Sequence, residues 1–314
     1  MQAKAAGVLP HALLMDGPAG IGKRHLAAVF LRSLYCEQPQ ADGVCGRCRH
    51  CRWFDQGHHP DCFMLQPDAQ GKIIPIDKVR ELTAFFSLKS HGGGIKTALV
   101  QPADAMLPAA ANSLLKTLEE PPGHCCLVLV SEYHGKLLPT IRSRCHRYAL
   151  SPIGFEQAKD WLKRHSHEHD SKRLYTAMSL AQGAPLRAQQ WLEEGMLDQR
   201  REVMDAILGL LAGKANPLKV AGGWLKGGLA QPLYWLSTFV LDVMRLQVSE
   251  NPPRLCHTDI REAMQVCTGL GDPLQWHRLL AEVNRTRGLL NGSANAQLLA
   301  ENVLLQLAEL GSRS

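Results

Sequence analysis

Apolar positions along the first half of the chain alternate between two periods. Short continuous apolar runs of strand length fall at Ala12–Met15, Cys62–Leu65, Thr97–Val100, Cys125–Val130 and Tyr148–Leu150. Between them the spacing is helical. One such segment runs from Lys23 to about Tyr35, one starts near Asp77 with Val79, Leu82 and Phe86 on one face, and one holds Leu114, Leu115 and Leu118. Strand, helix and strand in this order predict a parallel sheet covered by helices. After Ser151-Pro152 the strand pattern stops. Amphipathic helical segments follow, broken at Gly183, Gly195, Ala215-Asn216-Pro217, Gly227-Gly228, Asn251-Pro252-Pro253 and Gly271-Asp272-Pro273. The expected plan is an α/β domain over 1–150, a small helical domain over 151–195 and a larger helical domain over 196–314.

Composition narrows the function classes. At 314 residues the chain has room for about two domains at ~150 residues each. With 45% hydrophobic and 20% charged residues it is globular rather than disordered. Aromatics at 6% suit Leu- and Ala-rich helical cores better than a base-stacking module. A net charge of +6 permits phosphate contacts without requiring them. No run approaches the ~20 apolar residues of a membrane span, and Pro10, His11 and Asp16 interrupt the place of a signal-peptide core. The expectation is a cytoplasmic protein, so the ten cysteines need a reason other than disulfides.

Gly17-Pro18-Ala19-Gly20-Ile21-Gly22-Lys23-Arg24 follows a strand and opens a helix, the context of a phosphate-binding loop. Gly17, Gly20 and Gly22 let backbone N–H groups wrap a phosphate, and Lys23 reaches its outer oxygens. Arg24 stands where a Ser or Thr would hold Mg²⁺. The expectation is a degenerate phosphate loop with weak or lost nucleotide binding; the plainer reading is a Gly-rich strand-to-helix turn. A second part of the metal site is also missing. The strand Thr97–Val100 runs into Gln101-Pro102-Ala103-Asp104, with no adjacent acidic pair to hold Mg²⁺ and polarise water. No intrinsic ATPase is expected.

Cys36, Cys45, Cys48 and Cys51 offer four thiolates in two overlapping C-x2-C units plus an upstream cysteine, the donor set of a closed structural zinc site within 36–51. His50 and His58 are substitute ligands, and disulfides are the alternative chemistry. Cys62, Cys125, Cys126, Cys256 and Cys267 sit in apolar runs and read as buried small hydrophobes.

With these motifs, Asn112-Ser113-Leu114-Leu115-Lys116-Thr117-Leu118-Glu119-Glu120-Pro121-Pro122, Ser143-Arg144-Cys145 and His59-Pro60-Asp61 make the chain resemble bacterial clamp-loader subunits of DNA polymerase III, an AAA+ family. The altered loop and missing acidic pair set it apart from the ATP-hydrolysing gamma/tau type. The resemblance implies an AAA+ α/β domain, a helical lid and a helical C-terminal domain that joins a pentameric collar. It implies gamma/tau and delta subunits as partners, the sliding clamp and primer-template DNA as the assembly's targets, and a place within a DNA-directed DNA polymerase holoenzyme. It also implies that Arg144 serves as an arginine finger toward a neighbour's ATP. A local carboxylate is the alternative partner for Arg144, and Arg142 and Arg147 are alternative outward arginines. Leu186 falls where a phosphate-sensing Arg is expected, with Arg187 one position later. His59-Pro60-Asp61 reads more simply as a turn into the Cys62 strand. Trp224, Leu225, Trp235, Leu236 and Phe239 fit either an internal core or a collar interface, and Arg278, Arg285 and Arg287 a solvated face. Two other functions stay open: an active gamma/tau-type ATPase, and a zinc-dependent nucleic-acid-binding protein.

Overall fold

In the computed structural model, the described residues are 9–40, 43–68, 73–92, 94–290 and 294–312. Residues 1–8, which bear on the signal-peptide expectation, lie outside them. The described chain forms two compact units, 1–152 and 153–314.

In the first unit five strands, β1 Ala12–Asp16, β2 Cys62–Leu65, β3 Lys96–Val100, β4 Cys125–Ser131 and β5 His146–Ala149, lie in the order β2-β3-β4-β1-β5. Every pairing is parallel, with Ala12 opposite Leu127, Leu13 opposite His146 and Lys96 opposite Cys125. The three central strands are buried throughout, which is why they read as unbroken apolar runs rather than alternating ones. The last strand begins at His146, two residues before its predicted start, because it is an exposed edge strand whose polar residues hid it.

Helices cover both faces. On one, Ala27, Leu31 and Leu34 of α1 (Lys23–Tyr35) pack on Leu13, Leu99, Cys126 and Val128. On the other, α3 (Ile76–Ser87) and α4 (Pro108–Glu119) set Val79, Leu82, Leu114 and Leu118 against Leu14, Val100, Leu127 and Leu129. The short α2 (Arg49–Asp55) and α5 (Pro139–Arg142) complete the unit. The first of these has no predicted counterpart.

The second unit is helical among its described residues. It holds α6 Phe155–His165, α7 Ser171–Leu180, α8 Pro185–Glu193, α9 Met196–Leu211, α10 Pro217–Gly227, α11 Ala230–Val248, α12 Arg261–Cys267, α13 Pro273–Leu289 and α14 Ala296–Ser312. Most boundaries match the breaks read from Gly and Pro. The break after His165 was missed because its signal is Asp170, whose side chain caps α7 by accepting from Lys172 N. Trp224, Trp235, Leu236 and Phe239 belong to the internal core of this unit together with Trp276, Leu304 and Leu307. Arg278 and Arg285 are exposed as expected, but Arg287 is not on a solvated face. Its guanidinium lies 5.3 Å from the Tyr234 ring centroid. No helix of the described residues is long and apolar enough to cross a membrane.

Candidate functional site

The Gly-rich loop leaves β1 at the carboxyl edge of the sheet, where ligands sit in open α/β folds. Gly17, Gly20 and Gly22 all have positive φ, and Gly22 turns the chain into α1. At Gly17 a Cβ would stand 2.1 Å from the Leu150 carbonyl oxygen, so only glycine fits. Lys23 is buried, and its Nζ donates to the Pro18 carbonyl at 2.7 Å, closing the side chain back onto its own loop. Burial lowers its pKa, opposed by the charges of Glu132, Asp104 and Asp16. Arg24 points out of the loop and donates to Gln66 Oε1 at 3.0 Å.

Gln101 is buried at the end of β3, and Asp104 is engaged elsewhere, accepting from Ser131 Oγ at 2.8 Å and Glu132 N at 3.0 Å. Beneath the loop lies a group that sequence reading passed over. The buried carboxylate of Asp16 receives a fork from Arg147 at 2.8 and 2.9 Å and lies 3.2 Å from His134 Nδ1. The Arg147 hydrogen bonds hold its pKa below the usual carboxylate value against burial. The signal was available: an acid ending an otherwise apolar central strand needs a cation. This pairing also commits Arg147 inward.

Arg144 follows α5 and is part-exposed on the rim of the unit. Its Nη2 lies 2.6 Å from Glu119 Oε1, and its Nη1 donates to the Thr140 carbonyl at 3.0 Å. In the second unit Leu186 is exposed, and Arg187 stacks on the Trp191 and Tyr234 rings at 5.0 and 4.8 Å.

The four predicted cysteines meet. Cys36 ends α1 and Cys48 caps α2, and the sulfurs of Cys36, Cys45, Cys48 and Cys51 all lie within 4.8 Å of one another. Cys45 and Cys51 sulfurs are 3.9 Å apart, close to the ~3.8 Å expected for two sulfurs at about 2.3 Å from one tetrahedral ion. Backbone N–H groups of Cys45, Cys48 and Cys51 donate to the sulfurs of Cys36, Cys45 and Cys48 at 3.3, 3.4 and 3.4 Å. Such donors from Arg47 and Cys48 bring the Cys45 pKa down to about 6, while burial pushes Cys51 up to about 11. All four are free thiols, and the donor set fits a tetrahedral metal.

The two histidines named as substitutes are not in this group. His50 Nδ1 instead faces His59 Nε2 at 2.9 Å, and His59 Nδ1 accepts from Asp61 N at 3.2 Å. Asp61 in turn accepts from the backbone of His91 at 2.8 Å and Gly92 at 3.3 Å. His59-Pro60-Asp61 is therefore the turn that anchors β2, as the plainer reading has it.

A 2-3-4-1-5 parallel sheet with a Gly-rich loop after its first strand and helices on both faces is an AAA+ P-loop domain. Family models described as DNA polymerase III, delta subunit, and its C-terminal part match residues 1–154 and 194–309. A Pseudomonas aeruginosa protein named DNA polymerase III subunit delta' is 36% identical over 96% of this chain and 92% of its own. An Escherichia coli protein of the same name is 30% identical over 96% and 90%. A Salmonella typhimurium protein named DNA polymerase III subunit tau is 30% identical over 57% of this chain and 28% of its own. The chain belongs to the delta' family of DNA polymerase III subunits.

Proposed function

We propose that the chain is a non-hydrolysing AAA+ subunit of the replicative clamp loader, which helps load the sliding clamp onto primed DNA and supplies Arg144 in trans to a neighbouring ATPase subunit. The carrying observation is the state of its own nucleotide site. Lys23 is closed onto Pro18, Arg24 replaces the Mg²⁺ hydroxyl, and Gln101 with a committed Asp104 replaces the acidic pair. Such a loop lacks the means to stabilise charge on a transferring phosphoryl group. What remains useful is outward-facing. Arg144 keeps a permanent charge and a planar fork, and its part-exposed pair with Glu119 is of the kind worth only about 0–1 kcal/mol, so a neighbour's phosphates can displace the carboxylate.

Residues 151–195 act as the lid and 196–314 as the collar segment, with gamma/tau and delta subunits as partners in a cytoplasmic pentamer. Contact with clamp and primer-template DNA is made through the assembly. Zinc held by Cys36, Cys45, Cys48 and Cys51 is structural. When bound, it neutralises thiolate charge and cross-links an excursion that lacks an apolar core.

The test is reconstitution. Arg144→Ala should fold and join the complex yet lower its ATPase or clamp-loading rate, by less than the ~10³–10⁵ of a dedicated finger. Loading at the parent rate would refute the finger. ATP hydrolysis by the isolated chain that disappears in Lys23→Ala would refute the non-hydrolysing role. Less than half an equivalent of zinc per chain would refute the metal.

A further inference from the structure

Arg32 sits one turn before the cysteine that ends α1, and no motif singles it out. Its two terminal nitrogens fork onto Asp55 of α2, Nη1 to Oδ1 and Nη2 to Oδ2, each at 2.8 Å. This fixes the guanidinium against the cysteine cluster. Nη2 stands 4.0 Å from where a Cβ on Gly46 would be, inside the turn between Cys45 and Cys48. The buried Nε–H makes no hydrogen bond of good geometry among the described residues, while the guanidinium lies within the reach of the Cys51 sulfur. Burial alone would lower the arginine's pKa, but the Cys51 sulfur, Asp55 and the Cys36 sulfur together raise it. Two neighbouring arginines are directed elsewhere: Arg47 to Gln38, and Arg49 over the Trp53 ring.

Four thiolates around one divalent zinc leave two formal negative charges, and two of the four cysteines are buried. A site of that charge away from water needs a fixed countercharge and donors aimed at sulfur. We infer that Arg32, locked by Asp55, is the positioning and charge-compensating residue of this metal site and sets its zinc affinity. The inference rests on the zinc reading of the four cysteines. It adds that the affinity is set partly by a residue of the P-loop helix, outside the cysteine segment. The buried Nε–H is the donor left for a sulfur once the thiolates are charged.

The test is competition for zinc between the full chain and a chromophoric chelator at neutral pH. Arg32→Met keeps the stem and removes the charge, and should weaken zinc binding about 10–100-fold. Arg32→Lys, which restores charge without the fork, should recover part of the loss, and Asp55→Asn should fall between parent and Arg32→Met. Raising ionic strength should narrow the gap between parent and Arg32→Met, a response that a purely packing role would not give. Far-UV circular dichroism of the zinc-loaded variants checks that each is folded. An Arg32→Met chain that binds zinc within threefold of the parent would overturn the inference while leaving the zinc reading intact. A parent chain that takes no zinc would overturn both.

Discussion

Arg200 of α9 has 3% of its side chain exposed, yet its guanidinium is fully engaged. Nη1 and Nη2 fork onto Asp259 at 2.7 and 2.8 Å, while Nε and Nη2 meet His257 Nδ1 at 3.1 and 2.8 Å. On its far side His257 Nε2 lies 2.8 Å from Thr238 Oγ1. The two ends of the ion pair are unequal, because the Asp259 side chain is 37% exposed. Arg200→Met leaves a carboxylate that water can reach and one unsatisfied nitrogen on His257. The second costs about 1–3 kcal/mol, and the loss of the exposed partner adds at most about 1. Burial of the Met side chain offsets part of this, giving a net cost of about 1–3 kcal/mol. Asp259→Ala instead strands a buried cation. The ~3–5 kcal/mol for breaking a buried pair, discounted for the exposure of Asp259, becomes about 2–4 kcal/mol. The smaller truncation, at the more exposed residue, should therefore be the more damaging one. Hydrogen exchange of α9 and α11 peptides in the full chain measures the opening free energy directly. Equal protection in the two variants, or greater loss in Arg200→Met, would refute this account of the network.

Gly17→Ala should destabilise the first unit by more than about 2 kcal/mol, since its Cβ meets the Leu150 carbonyl at 2.1 Å; an unchanged melting transition would refute the close approach. Burial, aided by the Arg200 charge, holds the His257 pKa well below its ordinary value, so the unfolded chain binds more protons below about pH 6.5. The second unit should therefore lose stability as pH falls through that range and keep it above. His257→Gln should flatten the dependence of the urea midpoint between pH 5 and 7.5, and an unchanged slope would count against it. Arg147→Ala removes the hydrogen-bonded fork on the buried Asp16 carboxylate and should lower the urea midpoint at neutral pH. Because Arg147 holds the Asp16 pKa down, the parent loses this contribution only as pH falls below about 4, and the variant should show a weaker acid transition there.

The central strands and the four cysteines were legible because their signals are local. A buried parallel strand is an apolar run, and a tetrathiolate site needs closely spaced cysteines. The Gly-rich loop was legible for the same reason. The illegible part is made of pairs distant in sequence. Asp16 and Arg147 are 131 residues apart and meet only because β5 lies beside β1. Arg200 and His257 are 57 apart and joined by helix packing. Arg287 read as a solvated face because helical spacing gives no hint of the Tyr234 ring above it. Each is a polar group whose partner the tertiary fold chooses, which periodicity does not encode.

Helix α1 begins at Lys23, in the loop that would hold phosphate, and ends at Cys36, a sulfur of the metal cluster. In a working ATPase a bound anion orders the positive end of such a helix. On the proposed zinc reading, a metal–thiolate cluster ties down the opposite end through the Cys36 sulfur. By mass action, a ligand at a thousandfold excess over its Kd stabilises the folded chain by about 4 kcal/mol. On the zinc reading, that linkage runs through the metal site. On that reading, a zinc chelator should lower the melting transition of the first unit, with Cys36 carrying the effect into the end of α1.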